Sequence, residues 1–268
     1  MKIVTSFAVF VCMLQLICVS PASGQLMSED FDSYTTGVRL PDPPYVESTI
    51  TGISGDNPGI DALTDPADGS NTVGGRTGAN GSHHATMRAL TPGGAPSFIE
   101  LRADIMTDWS NPGAVDNLLY IASGNGDRDL LIGLNDGLLS AFFEDSITSG
   151  SQRLRGNGGS VVTADTWYTV RATVTFPGSD PNGLLSAEWK LASDPDTSFA
   201  AMVGGDSNTT VSAGDLTEAN FFHWELRNSG GGSGGSYADN ISIVVPEPVS
   251  LALMGLGALL LSWRCRAR

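Results

Sequence analysis

Between its two apolar ends the chain has no cysteine, since all three lie at Cys12, Cys18 and Cys265. That excludes disulfide staples and thiolate metal centres from the region between them, which must stand on a packed core, as a chain of 268 residues can. Lysine is almost missing, with Lys2 and Lys190 alone, and the formal charge is −15. So acidic a surface excludes nucleic acid and anionic membrane faces as partners, and suits solubility outside the cell and divalent cations. Also lacking between the ends are apolar runs with a helical period. Gly, Asp, Ser and Thr are abundant instead, a composition of strands and turns. The three histidines are His83, His84 and His223. The first two point apart in extended backbone, and His223 falls on the solvent face of a strand opposite Trp224, so no zinc centre is expected.

The two ends are more explicit. "MKIVTSFAVFVCMLQLICVSPASG" has Lys2, an apolar run from Ile3 to Val19, a helix-ending Pro21, and the small residues Ala22 and Gly24. That is a secretory signal with cleavage expected after Gly24. The large Leu16 and Ile17 before Cys18 argue against a lipid-attachment site. At the other end, the apolar stretch 249–263 spans about 22 Å as a helix, short of the roughly 30 Å hydrocarbon core. It crosses only by thinning the bilayer or recruiting its flanks. Arg264, Arg266 and Arg268 then stop transfer and stay cytoplasmic, which leaves everything between the ends outside the inner membrane.

Pro246, Glu247 and Pro248 stand directly before that short Leu/Gly/Ala-rich stretch and its arginines. Together these features resemble the PEP-CTERM sorting signal of Gram-negative-type bacteria. The resemblance implies a partner, an exosortase-type membrane peptidase that recognises and removes the tail. It also implies an itinerary, from transient residence in the inner membrane to the cell surface or extracellular matrix. The basic end reads "RCRAR" rather than an unbroken arginine run, yet it keeps the charge that stops transfer. The prolines deny the motif helical hydrogen bonds and hold it extended, the form a protease threads.

The expected organisation is a signal peptide at 1–24, one domain at 25–245 and the sorting signal at 246–268. Within the domain, "WYTVRATVTF" alternates, with Tyr168, Val170, Ala172, Val174 and Phe176 on one face. "SFIELRADIM" sets Ile99, Leu101, Ala103 and Ile105 against Glu100, Arg102 and Asp104. "LLSAEWKLA" turns Leu185, Ala187, Trp189 and Leu191 inward, and "FFHWELR" does so with Phe222, Trp224 and Leu226. Further strands are expected at "NLLYIAS", "RDLLIGL", "GLLSAFF" and "SYADNISIVV", separated by turn signals such as "LNDGLL" and "PGSDPNG". Many antiparallel strands without helices predict an all-β jelly-roll sandwich. "EDFDSYTTG", "TWYTVRATVTF" and "FFHWELRN…YADNISI" resemble the concanavalin A-like lectin/glucanase sandwiches, LamG-like modules above all. That resemblance implies that the first and last strands lie side by side. The stretch from Pro41 to Gly94 is loop-like, either a glycine-rich insertion or an irregular sheet edge.

Candidate chemistry is sparse. "GGSGG" around Ser233 matches G-x-S-x-G in letters, but no histidine follows it and the surroundings are plain glycine loop. Glucanases of the sandwich group carry E-x-D-x-x-E on one strand, with carboxylates about 5.5 Å apart for retention; this chain has no such triplet. Glu100 and Asp104 share a face with Arg102 between them, which reads as a surface ion network. Trp189 and Trp224 read as core and Trp167 as structural. Trp109, beside Asp108 and Asn111, is the candidate platform for stacking a sugar. Calcium wants about 6–8 hard oxygens. In sandwiches of this type it sits between the first and last strands, where Glu29, Asp30, Asp32 and Asp239 are the matching residues. The function expected is that of an exported, non-catalytic, carbohydrate-binding component of the cell surface or exopolysaccharide matrix. The alternatives are a polysaccharide hydrolase on the same sandwich, or a passive structural or adhesion domain without a glycan site.

Overall fold

The alternation in "WYTVRATVT" and "FIELRADIM" folds as read, while Phe176 lies outside the described residues. In the computed structural model, which describes residues 23–41, 44–47, 59–63, 65–69, 72–77, 83–90, 98–123, 128–143, 152–175, 182–203, 210–212, 219–228 and 234–246, these two segments are neighbouring antiparallel strands. Val170 sits opposite Ala103 and Ala172 opposite Leu101, and all four are buried. In chain order the strands are β1 (Ser23–Glu29), β2 (Val46–Glu47), β3 (Gly59–Asp61), β4 (Val73–Thr77), β5 (His83–Ala89), β6 (Phe98–Thr107), β7 (Val115–Ser123) and β8 (Arg128–Asn135). They continue as β9 (Leu138–Phe143), β10 (Gln152–Arg155), β11 (Tyr168–Thr175), β12 (Asn182–Leu191), β13 (Ala200–Ala201), β14 (Thr210–Ser212), β15 (Ala219–Asn228) and β16 (Gly235–Pro246). Among the described residues the only helices are short 3-10 turns.

Two sheets result, paired antiparallel throughout. The first runs β13-β12-β11-β6-β16-β4-β3, with β1 also on β16 and β14 also on β12; the second runs β10-β9-β8-β7-β15-β5-β2. The inward residues of both sheets form one core, in which Trp224, Phe222, Ile105, Leu101, Leu119 and Ile132 are fully buried. Each such side chain stabilises by roughly 1.5–3 kcal/mol. The protein is thus an all-β, two-sheet sandwich, and its first and last strands pair side by side as expected, Glu29 opposite Ile241 and Ser23 opposite Pro246. The 41–94 stretch contributes to both sheets at once: β3 and β4 extend one edge of the first, β2 and β5 one edge of the second.

Both outer faces are covered as well, which the alternation did not foretell. On the first sheet Val73, Met106, Trp167, Ala192 and Tyr237 form a second apolar cluster, joined by Leu63 of the segment between β3 and β4. On the second, Leu118, Tyr120, Ala122, Leu131 and Phe142 are buried. His223 therefore lies opposite Trp224 as read but not in solvent; it is buried, its ring stacked on Tyr120 at 5.0 Å. Leu191, read as inward, is 39% exposed because β12 ends there and the chain turns outward.

The hairpin between β8 and β9 shows how local chemistry sets register. Asp136 and Gly137 have φ of 51° and 69°, a two-residue turn with both residues left-handed, so Asn135 pairs with Leu138. A Cβ on Gly137 would stand 2.1 Å from the carbonyl oxygen of Pro112, so only glycine fits.

Candidate functional site

β16 carries the polar centre of the molecule, and a bulge there decides what points where. Asn240 has φ of 50°, and the register with β6 shifts between Asp239 and Ser242. Across that bulge the alternation changes phase: Ala238 and Ile241 both join the main core, while Tyr237 and Asp239 take the outer face. The register then lines up a row across four strands, with Asp239 opposite Asp104, Asp104 opposite Thr169, and Thr169 opposite Lys190. All four are buried. The outer face of this sheet is closed here by the segment that follows β3 and by the one that follows β12.

Each member is held. The Thr169 hydroxyl donates to Asp104 Oδ1. The Asn240 amide donates to Asp104 Oδ2 at 3.0 Å and to Asp65 Oδ2 at 3.4 Å, joining strand to loop. Asp65 Oδ1 accepts the Ala67 amide at 2.7 Å, and the Asp65 carbonyl accepts Gly69 N at 2.9 Å, which folds "DPADG" into a turn. Lys190 turns its ammonium to the carbonyls of Ala192 (3.1 Å) and Asp194 (2.7 Å), and lies 3.7 Å from Asp196. Burial pushes the Asp65 carboxyl up to about 7, against the Ala67 hydrogen bond and with the neighbouring Asp104 adding to the rise. Burial also raises Asp104, although Thr169 and Asn240 donate to it.

Asp65, Asp68 and Asp239 each offer one carboxylate oxygen, and these atoms lie within 4.8 Å of one another. Asp65 and Asp239 are buried and Asp68 is exposed. Three carboxylates that close repel one another unless a proton or a cation intervenes. Carboxylate oxygen is the donor type that hard divalent cations take. A carboxyl titrating near 7 also has the strength of a general acid, but Asp65, on the loop itself, and Asp104, beneath it, are 0% and 1% exposed.

The expected clasp therefore needs correcting. Asp239 does stand in an acidic cluster, but its companions are Asp65 and Asp68 rather than Glu29, Asp30 and Asp32. The reason is the face of the sheet. Glu29 follows Met27 on the inner side, where its carboxylate accepts from Tyr45 Oη at 2.7 Å, Tyr34 Oη at 3.2 Å, the Phe31 amide at 3.3 Å and Arg88 Nη1 at 3.4 Å. Burial, with the Glu29 charge beside them, raises both tyrosine hydroxyls above their ordinary range. Asp30 and Asp32 are exposed, and Asp30 Oδ1 accepts the Asp32 amide at 3.3 Å.

Trp109 is likewise corrected: it is 0% exposed and belongs to the main core, so no sugar stacks on it. Its amide donates to Thr107 Oγ1 at 3.1 Å. The approach of Gly234, whose Cβ would stand 2.6 Å from Trp109 Cα, keeps the loop closed. Asp104 is no surface ion either, and Arg102 instead forks onto Asp196 at 3.1 and 3.2 Å. Of the sorting residues, Pro246 is the last residue of β16. Glu247, Pro248, Arg264, Arg266 and Arg268, the expected tail helix, the signal segment before residue 23, and Ser233 lie outside the described residues. Among the described residues no helix is long and apolar enough to cross a membrane.

Asp65, Asp68, Asn240 and Lys190 were not foreseen. "DPADG" reads as a turn, and only pairing and loop placement bring it to Asp239.

Residues 244–267 match the PEP-CTERM protein-sorting motif. No curated protein matches the chain. Among solved structures, it is similar to a protein of unknown function from Shewanella oneidensis (15% identity, 88% of this chain and 92% of that one, TM-score 0.43). It is also similar to a β-glucanase catalytic domain from Podospora anserina (17%, 81% and 90%, TM-score 0.43). A third is a carbohydrate-binding module from Bacillus subtilis (9%, 78% and 97%, TM-score 0.38). The tail is a sorting tag, and the chain that carries it is exported through membrane-associated sorting.

Proposed function

We propose that the protein is a non-catalytic component of the cell surface or exopolysaccharide matrix, freed from its membrane tail by an exosortase-type peptidase. The sorting motif at 244–267 carries this reading. Support for a non-catalytic role comes from the sequence, which lacks the paired-carboxylate triplet. It comes also from the two carboxyls with raised pKa that Asn240 bridges, which are hydrogen-bonded and buried. A glycan partner is part of the proposal through the strand motifs alone, since Trp109 is no longer a platform for it. The rival reading, polysaccharide hydrolysis, draws on Asp65 and Asp104 and needs this buried pair, one member of which sits on the covering loop, to become accessible to substrate.

Intact-mass analysis of surface or matrix protein from the producing cells should show chains lacking residues 249–268, and β-glucans should yield no reducing ends above a heat-killed control. A retained tail makes this an ordinary anchored protein. Sustained turnover that Asp65→Asn abolishes makes it an enzyme.

The calcium expectation carries over with a new ligand set, and we propose that Asp65, Asp68 and Asp239 hold the ion. What supports this is the convergence of three carboxylates from one loop and one strand.

A further inference from the structure

The chain is almost without primary amines. Lysine occurs only at Lys2 and Lys190, and cleavage after Gly24 removes the first with the signal segment. Lys190, on β12, is 4% exposed. Its ammonium donates to the carbonyls of Leu191 (3.5 Å), Ala192 (3.1 Å) and Asp194 (2.7 Å), three acceptors for three N–H bonds. The Phe199 ring lies 5.6 Å from the same nitrogen. Solvent therefore reaches one primary amine of the cleaved chain, the new α-amino group.

That group belongs to Gln25, and the fold puts it at an open strand end. Gln25 stands opposite Val244 on β16, with a bulge between it and Met27, which faces Ile243. Met27 and Glu29 are buried and hold β1 in place, while Gln25 is exposed. Its side chain is in solvent, where it can turn onto its own amine. An ordinary α-amino group titrates close enough to neutrality to be partly uncharged there.

We propose that Gln25 of the mature protein closes to pyroglutamate, so that the folded chain offers no reactive amine. The uncharged α-amino nitrogen attacks Cδ of its own side chain. A new N–Cδ bond closes the lactam, the Cδ–Nε2 bond breaks, and the carboxamide nitrogen leaves as ammonia with a proton from the attacking nitrogen. Neither oxidant nor co-reactant is consumed. The lactam keeps one N–H, so the strand end still has a donor for its ladder. A terminus closed in this way gives aminopeptidases nothing to grip. Without a reachable amine, the protein also forms no Schiff base with the reducing ends of a polysaccharide. This rests on the signal-peptide reading.

The test is acetylation of the exported protein from its producing cells with an N-hydroxysuccinimide ester, folded and unfolded, before any digestion. Gln25→Ser serves as the comparison, because serine has no carboxamide to close. The folded natural protein should take no acetyl group, and its N-terminal peptide should begin at Gln25 with its mass lowered by one ammonia. Unfolded, it should take one acetyl group, mapped to Lys190. Folded Gln25→Ser should take one, at its α-amine. An acetylated α-amine on Gln25 overturns the ring and leaves the signal reading intact. Since labelling precedes digestion, a ring formed in handling cannot pass for one formed before. Acetylation of Lys190 in the folded protein overturns its sequestration. No label on folded Gln25→Ser means that the fold itself shields the terminus, and overturns the role given to the ring. An N-terminus at another residue overturns the proposal together with the signal reading.

Discussion

Glu29 is the residue whose role changed most between sequence and structure. As a calcium ligand it would be dispensable to the fold. As the acceptor for Tyr34, Tyr45, Arg88 and the Phe31 amide, it is a buried charge with its partners assembled around it. Removing it strands the Tyr45 hydroxyl in the interior, and leaving such a group unsatisfied costs about 1–3 kcal/mol. Glu29→Ala should therefore lower the denaturant midpoint by an amount worth about 2–3 kcal/mol. Asp32→Ala, at an exposed position, should stay within about 0.5 kcal/mol. Equal, small effects would mean that water replaces the network. Neither variant should alter the response to calcium, because Glu29 faces inward and Asp239 outward.

Among the elements, the β8–β9 hairpin gives the sharpest local test. "LNDGLL" was legible because Asp-Gly supplies two left-handed residues at little cost, and the register follows from the turn. Gly137→Ala meets both a φ of 69° and the Pro112 carbonyl at 2.1 Å, and should destabilise by about 2 kcal/mol or more. Asp136→Asn keeps a residue that tolerates φ of 51°, and should be neutral within about 0.5 kcal/mol. An unchanged midpoint in Gly137→Ala would show that the Pro112 turn shifts freely. β16 is the opposite case. "SYADNISIVV" could be read as a strand, but the bulge at Asn240 reverses its inward phase halfway, and no single residue type announces that.

For the molecule as a whole, the Asp65 group couples stability to pH and to cations. Its folded pKa is raised to about 7 from the ordinary 3.8. The unfolded chain therefore ionises first, and the stability this group contributes is complete below about pH 4 and lost as pH rises through 7. In EDTA, wild-type stability should fall across that window relative to Asp65→Asn, by an amount on the order of a few kcal/mol. Parallel curves would mean that the carboxylate is ionised and tolerated. Millimolar calcium should remove the difference. It should also raise the melting temperature by several degrees, since a ligand at a hundredfold excess over Kd stabilises by about 2.7 kcal/mol. Asp239→Ala should abolish that gain. An equal gain from magnesium, or a gain that survives in the variant, would mark diffuse screening of an acidic surface.

The sequence by itself determined the address and the fold class of this protein. A sorting signal is a short contiguous peptide, so its information is linear: Pro246, Glu247, Pro248, the apolar stretch and the arginines are enough. Strand alternation is nearly as local, because inward and outward are decided two residues at a time, and Ile99 to Ile105 and Tyr168 to Val174 could be placed without a structure. The tertiary structure alone decided which carboxylates meet. Asn240 donates its side-chain amide to Asp65 and its backbone amide to Asp239 at 2.9 Å because a loop folds over the outer face and a bulge turns β16, and neither event leaves a periodic trace. It also decided that Trp109 joins the main core and that His223 is buried against Tyr120, since both depend on packing between strands far apart in sequence. Burial is a property of the packed whole, and a pattern read along one strand gives only its sides.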